Sequence, residues 1–176
     1  HDDGFRNFQT SNVRRFYGDV GVKNDQSEFH VNMGVADNDF GATATTPIEL
    51  LQQNWGATYT SPQTSTNKVG YVNFTGKVEV TPTWTVEGVA HARLFNQNLV
   101  DGNPTGTQPC TANAALLCFG DGTSPANGLN GAQLSNPFPV DAVLGEIDRT
   151  TTQTTTTGAS LQGTNTDPLF GHDNHF

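Results

Sequence analysis

Eight polar side chains recur at even spacing in three segments of this chain, and they are its strongest candidates for binding chemistry. Residues separated by two or four positions on a β-strand point to the same face. Acidic, basic and amide side chains on one face can contact a polar ligand, or they can form a solvated wall of weak ion pairs. The sequence leaves both interpretations open. The candidates are Glu28, His30, Asn32, Asn73, Lys77, Glu87, His91 and Arg93.

Catalytic and metal-binding motifs are absent from the sequence. There is no Gly-x-Ser-x-Gly, no His-Glu-x-x-His and no phosphate-binding loop, and no two carboxylates have a spacing that would bring them to one substrate. His172, Asp173 and His175 lie in a Gly/Asn-rich segment and are interpreted as solvated turn residues. The run Asp37 to Asp39 lacks the other ligands of a calcium loop. We therefore expect no enzymatic activity, no cofactor and no metal site.

The two cysteines, Cys110 and Cys118, lie in a stretch rich in Gly, Pro and Asn. In an exported protein such a pair closes a small loop by a disulfide, and the alternative is two unpaired thiols. No histidine or further cysteine lies near them to complete a zinc site. The disulfide is the interpretation favoured for an exported protein.

Composition excludes two classes of protein. The formal net charge is -9, with only 8 Lys and Arg among 176 residues, so a nucleic-acid partner is not expected. Hydrophobic residues make up 34% of the chain, and no run approaches the ~18 apolar residues that a transmembrane helix needs. Strands that alternate apolar and polar residues dilute the apolar signal, so the composition still permits a chain that crosses a membrane as β-strands.

The elements that would position the candidates are long strands with period-2 alternation. Lys68 to Val80 and Thr85 to Phe95 flank a Pro-containing turn at Thr81 to Trp84, which predicts a β-hairpin. Both strands are longer than the five or six residues usual in a soluble sheet, and a strand of about 9–11 residues spans a bilayer at a tilt. Apolar residues share one face of this hairpin, namely Val72, Phe74, Val78, Val80, Val86, Ala90, Ala92 and Leu94.

A second hairpin and a fifth strand complete the predicted sheet. Val13 to Val22 and Ser27 to Val35 alternate around a short turn. Glu146 to Thr164 includes the segment Thr150 to Thr157, in which all residues but one are Thr. Such a run is either a β-strand or a low-complexity linker, and the alternation that follows it favours the strand. Pro47 to Gln53 has the signature of a short helix with Pro in its first turn.

The connections between these strands alternate between short and long. Short turns are predicted at residues 23–26, 81–84 and 165–174, and long loops precede the first strand and occupy residues 36–66 and 96–145. In an up-and-down barrel all short turns lie on one rim and all long loops on the other, with apolar faces toward lipid and polar faces toward the lumen. The expected fold is therefore all-β, an antiparallel up-and-down transmembrane β-barrel segment present here as an open curved sheet. The eight candidates would line its lumen.

Several local patterns follow one another in order along nearly the whole chain. They are Asp3-Gly4-Phe5-Arg6, Arg15-Phe16-Tyr17-Gly18-Asp19, Ala36-Asp37-Asn38, Pro47-Ile48-Glu49-Leu50-Leu51, Thr81 to Gly88, Gly158-Ala159-Ser160-Leu161-Gln162 and Leu169-Phe170-Gly171-His172-Asp173-Asn174. In this order, and with this rhythm of loop lengths, the chain resembles the barrel segments of TonB-dependent outer-membrane receptors. The resemblance implies a 22-stranded barrel closed by an N-terminal plug. It also implies uptake of a scarce nutrient, commonly a ferric siderophore, with energy delivered through the TonB protein.

On this resemblance, residues 1–176 are one part of the barrel domain, with about five strands and the start of a sixth at His175–Phe176. The plug and the short box that engages TonB are expected in a missing N-terminal part, because the chain has no signal peptide and does not begin with Met. The expected location is the bacterial outer membrane. The expected partners are outer-membrane lipid, a ferric siderophore and the TonB complex, and some of the eight candidates would contact the ligand or the plug.

A secreted β-sandwich that serves as a binding module or adhesin domain is the alternative. A sandwich needs about seven strands and would bury Phe29, Val31, Phe74 and Val78 in a shared core. A barrel segment leaves those side chains without a protein partner, in an open sheet. The environment of these four residues therefore distinguishes the two folds.

Overall fold

Five long strands form one open antiparallel sheet in the computed structural model, which describes residues 1–42 and 45–172. Long strands that follow one another along the chain are neighbours in the sheet, and two short strands pair with each other in the last connection. The all-β antiparallel sheet predicted from the sequence is confirmed. The strands are β1 Ser11–Lys23, β2 Ser27–Gly41, β3 Gln63–Thr81, β4 Trp84–Pro104, β5 Thr107–Pro109, β6 Leu117–Phe119 and β7 Gly145–Asn165, and the sheet order is β1-β2-β3-β4-β7.

The predicted short helix is confirmed as α1, Ile48–Gln53, and Pro47, predicted in its first turn, is the N-cap residue. The fixed φ of proline suits the start of a helix, and the Pro47 carbonyl accepts hydrogen bonds from the N–H groups of Leu50 and Leu51. None of the helical residues is buried. In the described ranges, no helix is both long enough and apolar enough to cross a membrane.

The threonine-rich segment is a fully paired strand. Every residue of Thr150–Thr157 in β7 lies opposite a residue of β4, from Leu99 to Ala92. Threonine is β-branched, which favours extended backbone. The strand prediction is therefore confirmed and the linker alternative is wrong. The predicted bounds of this strand differ from those of β7 by one residue at each end.

The predicted long loops, residues 36–66 and 96–145, overlap the ends of the strands. Because β2, β3 and β4 extend beyond their predicted ends, the connections run from Gly41 to Gln63 and from Pro104 to Gly145. The alternation of apolar residues stops at a row of polar residues centred on Lys68, but the paired ladder continues past that row. A strand with polar residues on both faces has no period-2 signal, which is why these ends were not predicted.

Short and long connections lie at opposite edges of the sheet. Residues 24–26 join β1 to β2, and residues 82–83 join β3 to β4 at the same edge, which we call the short-turn edge. Because all neighbouring strands are antiparallel, the described parts of the segments 1–10, 42–62 and 105–144 lie at the other edge, which we call the long-loop edge. The order of connections predicted from the sequence is thus found in the sheet.

After β7 the chain makes a tight turn. Leu169 and His172 exchange two backbone hydrogen bonds of 3.0 Å, around Phe170 at φ 53° and Gly171 at φ 79°. Both central residues have positive φ, as a type I′ hairpin turn requires. The predicted start of a sixth strand, His175–Phe176, lies outside the described residues.

The register places the predicted apolar residues on a common face, except for Val80, which lies at a shift of register between Glu79 and Thr81. Val20 lies opposite Val31, Val31 opposite Phe74, and this row continues through Ala90 to Ala159. Residues directly opposite one another share a face, and neighbouring rows continue the pattern. We call this side the apolar face, and it presents Phe16, Val20, Val22, Phe29, Val31, Met33, Val35, Val72, Phe74, Val78, Val86, Ala90, Ala92, Leu94, Ala159 and Leu161.

Within the described residues, no second layer of protein covers the apolar face. Phe16 is 61% exposed, Phe74 44% and Leu161 80%. The strands β5 and β6 pair with each other and do not contact the long strands. The buried hydrophobic residues of the described chain all lie in the connections, and they are Ala57, Cys110, Cys118 and Ala126. The open sheet is confirmed, and the four residues that a sandwich would bury have no second sheet above them.

Candidate functional site

All eight predicted candidates lie on the second face of the sheet, which we call the polar face. Two rows of directly opposed residues contain six of them, Glu28–Lys77–Glu87 and Asn32–Asn73–His91. His30 lies between Glu28 and Asn32 on the same face of β2, and Arg93 lies two positions beyond His91 on β4. Strand pairing therefore brings candidates from three distant segments onto one surface.

A row close to the short-turn edge has charges of alternating sign. It comprises, from β1 to β7, Lys23, Glu28, Lys77, Glu87 and Gln162. Lys23 Nζ lies 2.7 Å from Glu28 Oε2, and Lys77 Nζ lies 3.1 Å from Glu87 Oε1. Each such exposed cross-strand pair stabilises a sheet by roughly 0.2–1 kcal/mol. The row is electrically balanced, so it has no net attraction for either sign of charge.

His30 bridges two carboxylates on the polar face. Its Nδ1 lies 2.9 Å from Asp19 Oδ1, and its Nε2 lies 3.2 Å from Glu28 Oε1. Ionised carboxylates only accept hydrogen bonds, so both contacts are satisfied when both ring nitrogens bear a proton. Gly21 lies directly opposite His30, and a Cβ at Gly21 would come within 2.5 Å of the ring. The glycine therefore leaves the space in which the imidazole lies over β1.

Two further rings on this face lie over glycines. Tyr71 is opposite Gly34 and His91 is opposite Gly158, and in both pairs an added Cβ would clash with the ring. A ring over a cross-strand glycine covers backbone and keeps its own bulk close to the sheet. His91 was predicted from the sequence but the role of Gly158 was not, because the pairing of β4 with β7 is not visible in the sequence.

The remaining candidates contact other residues of the polar face. Asn73 Nδ2 donates a hydrogen bond of 2.7 Å to Asn32 Oδ1. The guanidinium carbon of Arg93 lies 5.7 Å from the centroid of the Phe95 ring, which is a cation–π distance. These candidates contact their neighbours on the polar face, and their polar groups do not converge on one site.

An open hollow of about 370 Å³ lies on the polar face near the short-turn edge. Four of the predicted candidates line it, namely Glu28, His30, Lys77 and Glu87. Thr75, Ser160 and Gln162 add hydroxyl and amide groups to the lining, so the hollow can hydrogen-bond a polar ligand or a polar protein segment. Ser160 and Gln162 were not predicted, although the alternation of residues 158–162 was the signal that located them on a strand.

Cys110 and Cys118 are joined by a disulfide in the connection 105–144. The Gln133 side-chain amide donates to the Leu117 carbonyl at 3.1 Å and to Cys110 Sγ at 3.3 Å. Three of the four buried hydrophobic residues in the described chain, the two cysteines and Ala126, lie in this connection. The stapled connection therefore has a small interior of its own.

Asp121 closes a turn in the same connection. Its Oδ1 accepts hydrogen bonds from the N–H groups of Thr123 at 2.9 Å and Ser124 at 2.8 Å, and its Oδ2 accepts one from the Ser124 hydroxyl. These bonds, with that from the Ser124 hydroxyl as the largest cause, lower the pKa of Asp121 from 3.8 to about 2. The lowered pKa keeps the carboxylate ionised in the acidic range between about pH 4 and pH 2, where an ordinary aspartate binds a proton.

The N-terminal segment packs against the 42–62 loop at the long-loop edge. The N–H of Asn7 donates to the Gly56 carbonyl at 2.9 Å, and the Asn7 carbonyl accepts from Thr58 Oγ1 at 2.9 Å. The rings of Phe5 and Trp55 stack with centroids 6.5 Å apart. The two side chains remain 65% and 67% exposed, so they form an aromatic surface, which was not predicted from the sequence.

No group of three or more His, Cys, Asp and Glu side chains in residues 1–42 and 45–172 is arranged to hold a metal ion. Of the three residues considered for a metal site in the sequence, His172 forms the backbone bridge after β7. Asp173 and His175 lie outside the described residues.

Comparison with known proteins adds no family to this description, because no protein-family model matches the chain and neither curated proteins nor solved structures gave a match. The resemblance to TonB-dependent receptors therefore rests on the order of local patterns in the sequence. What the chain can do follows from the two faces of the sheet, its two edges and the hollow on the polar face.

Proposed function

We propose that the chain is a segment of the barrel of a TonB-dependent outer-membrane receptor, which takes up a siderophore-type nutrient by active transport. The observation that carries the proposal is the division of one sheet into an exposed apolar face and a polar face, with short turns at one edge and long loops at the other. Membrane β-barrels have this organisation, with lipid against one face and water against the other. The proposed partners are a ferric siderophore, the TonB complex and outer-membrane lipid.

The height of the apolar face supports a membrane-spanning role. On β4 it extends from Trp84 to Leu94, and about ten residue steps at about 3.3 Å each rise about 33 Å along the strand. A strand tilt of about 40° reduces this rise to about 25 Å across the membrane, which is the height of the apolar band in outer-membrane barrels. Trp84 lies at the short-turn end of this span, where an aromatic girdle residue belongs.

A row of charged and amide residues ends the apolar face toward the long-loop edge. Arg14, Asp37, Lys68, Asn96 and Gln153 make up this border row and lie directly opposite one another across the five strands. Charged side chains are costly in hydrocarbon and are tolerated near the membrane interface. The apolar face therefore has a border at each end, as a lipid-facing band requires.

Under this proposal the polar face lines the lumen. The rings that lie over glycines stay close to the backbone of the sheet. The side chains of the polar face therefore project only a short way into the lumen, which leaves room for a plug or a passing ligand. The hollow of about 370 Å³ offers hydrogen-bonding groups to either. The long-loop edge, with its aromatic stack and disulfide-stapled connection, contributes to the outer mouth, since loops on a rigid scaffold commonly hold binding residues.

A secreted β-sandwich binding module or adhesin domain gains no support from the sheet. Such a fold needs a second sheet packed on the apolar face. The described part of the chain supplies none, and the side chains that would form the core are substantially exposed. In water such a face would favour aggregation, whereas lipid would cover it.

Fractionation of the source cells tests the proposed function. An antibody against this segment should detect an outer-membrane band several times heavier than the 18.8 kDa of the chain. The band should migrate differently with and without boiling, because a folded barrel resists detergent at room temperature. A soluble secreted band near 18.8 kDa would contradict the proposal and favour the binding module.

A further inference from the structure

The apolar face has a groove next to its border with the long-loop edge. Two adjoining hollows of about 500 and 360 Å³ share Phe16, Val35, Gly70 and Leu94 in their linings. Gly70 lies between Val35 on β2 and Leu94 on β4. Because Gly70 has no side chain, its backbone forms the bottom of the groove between these two larger residues. A Cβ at Gly70 would have Val35 Cγ1 as its nearest atom, at 3.8 Å. The space above Gly70 is therefore open.

Two cations border the end of this groove nearest the long-loop edge. Arg14 and Lys68 flank Asp37 in the border row and line the larger hollow. Lys68 Nζ lies 3.9 Å from Asp37 Oδ2, and the lysine side chain remains 63% exposed. Two cations and one acid thus border this end of the groove, in a chain whose net charge is -9. The local charge is positive where the molecule as a whole is acidic.

We propose that this groove binds one anionic, phosphate-bearing membrane lipid, with an acyl chain over Gly70 and the phosphate above the border row, within reach of the Arg14 and Lys68 side chains. The inference rests on the proposed function, because it places the apolar face in a membrane. Arg and Lys bind phosphate oxygens through charge-assisted hydrogen bonds. The two cations lie two residues beyond Phe16 and Gly70, about 7 Å along their strands. A phosphate at the cations therefore leaves the acyl chain beside the apolar lining.

Native mass spectrometry of the full-length receptor in detergent tests this lipid site. Phosphatidylglycerol, diacylglycerol and inorganic phosphate are added in separate arms. We expect only phosphatidylglycerol to remain bound, because the site needs both the chain and the phosphate. The double variant Arg14→Gln/Lys68→Gln should weaken phosphatidylglycerol binding by about tenfold or more, since it removes two charge-assisted contacts. Gly70→Leu should weaken it similarly by filling the groove.

Lys23→Gln is the matched control, because it removes a cation from the polar face and should leave lipid binding unchanged. Equal retention of phosphatidylglycerol by wild type and the double variant would overturn the inference. Binding of inorganic phosphate alone, with the same dependence on Arg14 and Lys68, would also overturn it by assigning a simple anion site. A band shift on boiling shows that each variant is folded. Failure of the protein to fractionate with the outer membrane would instead contradict the proposed function.

Discussion

Three rings on the polar face lie over cross-strand glycines. These pairings determine how far the side chains of the polar face project from the sheet. His30 over Gly21 and His91 over Gly158 occupy the volume that a Cβ would need. Exposed strand glycines weaken a sheet, and a ring from the opposite strand offsets part of that weakness by covering the backbone. Residue size at these positions therefore affects both stability and the space above the polar face.

Gly158→Val should destabilise the sheet, because the new side chain would overlap the His91 ring. Because the His91 ring is exposed and can rotate away, the loss should be the size of one cross-strand pair, roughly 0.2–1 kcal/mol, which urea unfolding of the protein in lipid vesicles would measure. Gly163→Val on the same strand is the matched control, since the nearest atom to its Cβ would be 3.9 Å away. Combining Gly158→Val with His91→Ala should recover most of the loss. A loss that persists without the ring would show that the ring is not its cause.

The stability of the turn that Asp121 closes should depend on pH, because its carboxylate must be ionised to accept the hydrogen bonds of the turn. Its pKa is lowered from 3.8 to about 2 in the folded chain. The carboxylate therefore stabilises the turn fully above its unfolded pKa, and this stabilisation is lost as the pH falls from about 4 to about 2. NMR titration of ¹³C-labelled aspartate should find the lowered pKa, and Ser124→Ala should raise it by removing the largest cause. An unchanged pKa in that variant would contradict the assigned cause.

At the scale of the strands, alternation predicted which residues share a face and which segments pair. It succeeded where one face is apolar, as in Val72 to Val78, because a half-buried strand leaves a period-2 signal. It failed at the strand ends near Asp37 and Asn96, where both faces are polar. The two three-residue strands β5 and β6 are too short to leave a pattern. The pairing of β7 with β4 depends on the whole sheet, so Ser160 and Gln162 could not be assigned to the hollow.

The register of the threonine-rich strand can be tested by cross-linking. Ala92 lies directly opposite Thr157, and directly opposed residues have Cα atoms about 4.5–5.5 Å apart, which permits a disulfide. Ala92→Cys with Thr157→Cys should therefore cross-link on oxidation, as detected by mass spectrometry of the linked peptides. Ala92→Cys with Thr156→Cys is the control, because a one-residue shift moves the side chain to the other face. Equal cross-linking of both pairs would contradict the register.

At the scale of the molecule, the sheet has one apolar face and one polar face but no interior of its own. Its long strands contain none of the buried hydrophobic residues of the described chain, and stability from burial must come from what covers the apolar face. The border row and Trp84 limit that face to the height of a hydrocarbon layer. These features together favour lipid as the covering layer.

Cysteine labelling in intact outer membranes tests the central claim that one face meets lipid and the other meets water. Val31→Cys and Asn32→Cys are adjacent on β2 but lie on opposite faces, and Val72→Cys and Asn73→Cys form the equivalent pair on β3. The native cysteines are joined to each other and provide no competing thiol. We expect a water-soluble maleimide to react with the cysteines at positions 32 and 73, and a lipid-phase thiol probe to react with those at 31 and 72. Equal reaction of both faces with the water-soluble reagent would contradict the membrane assignment.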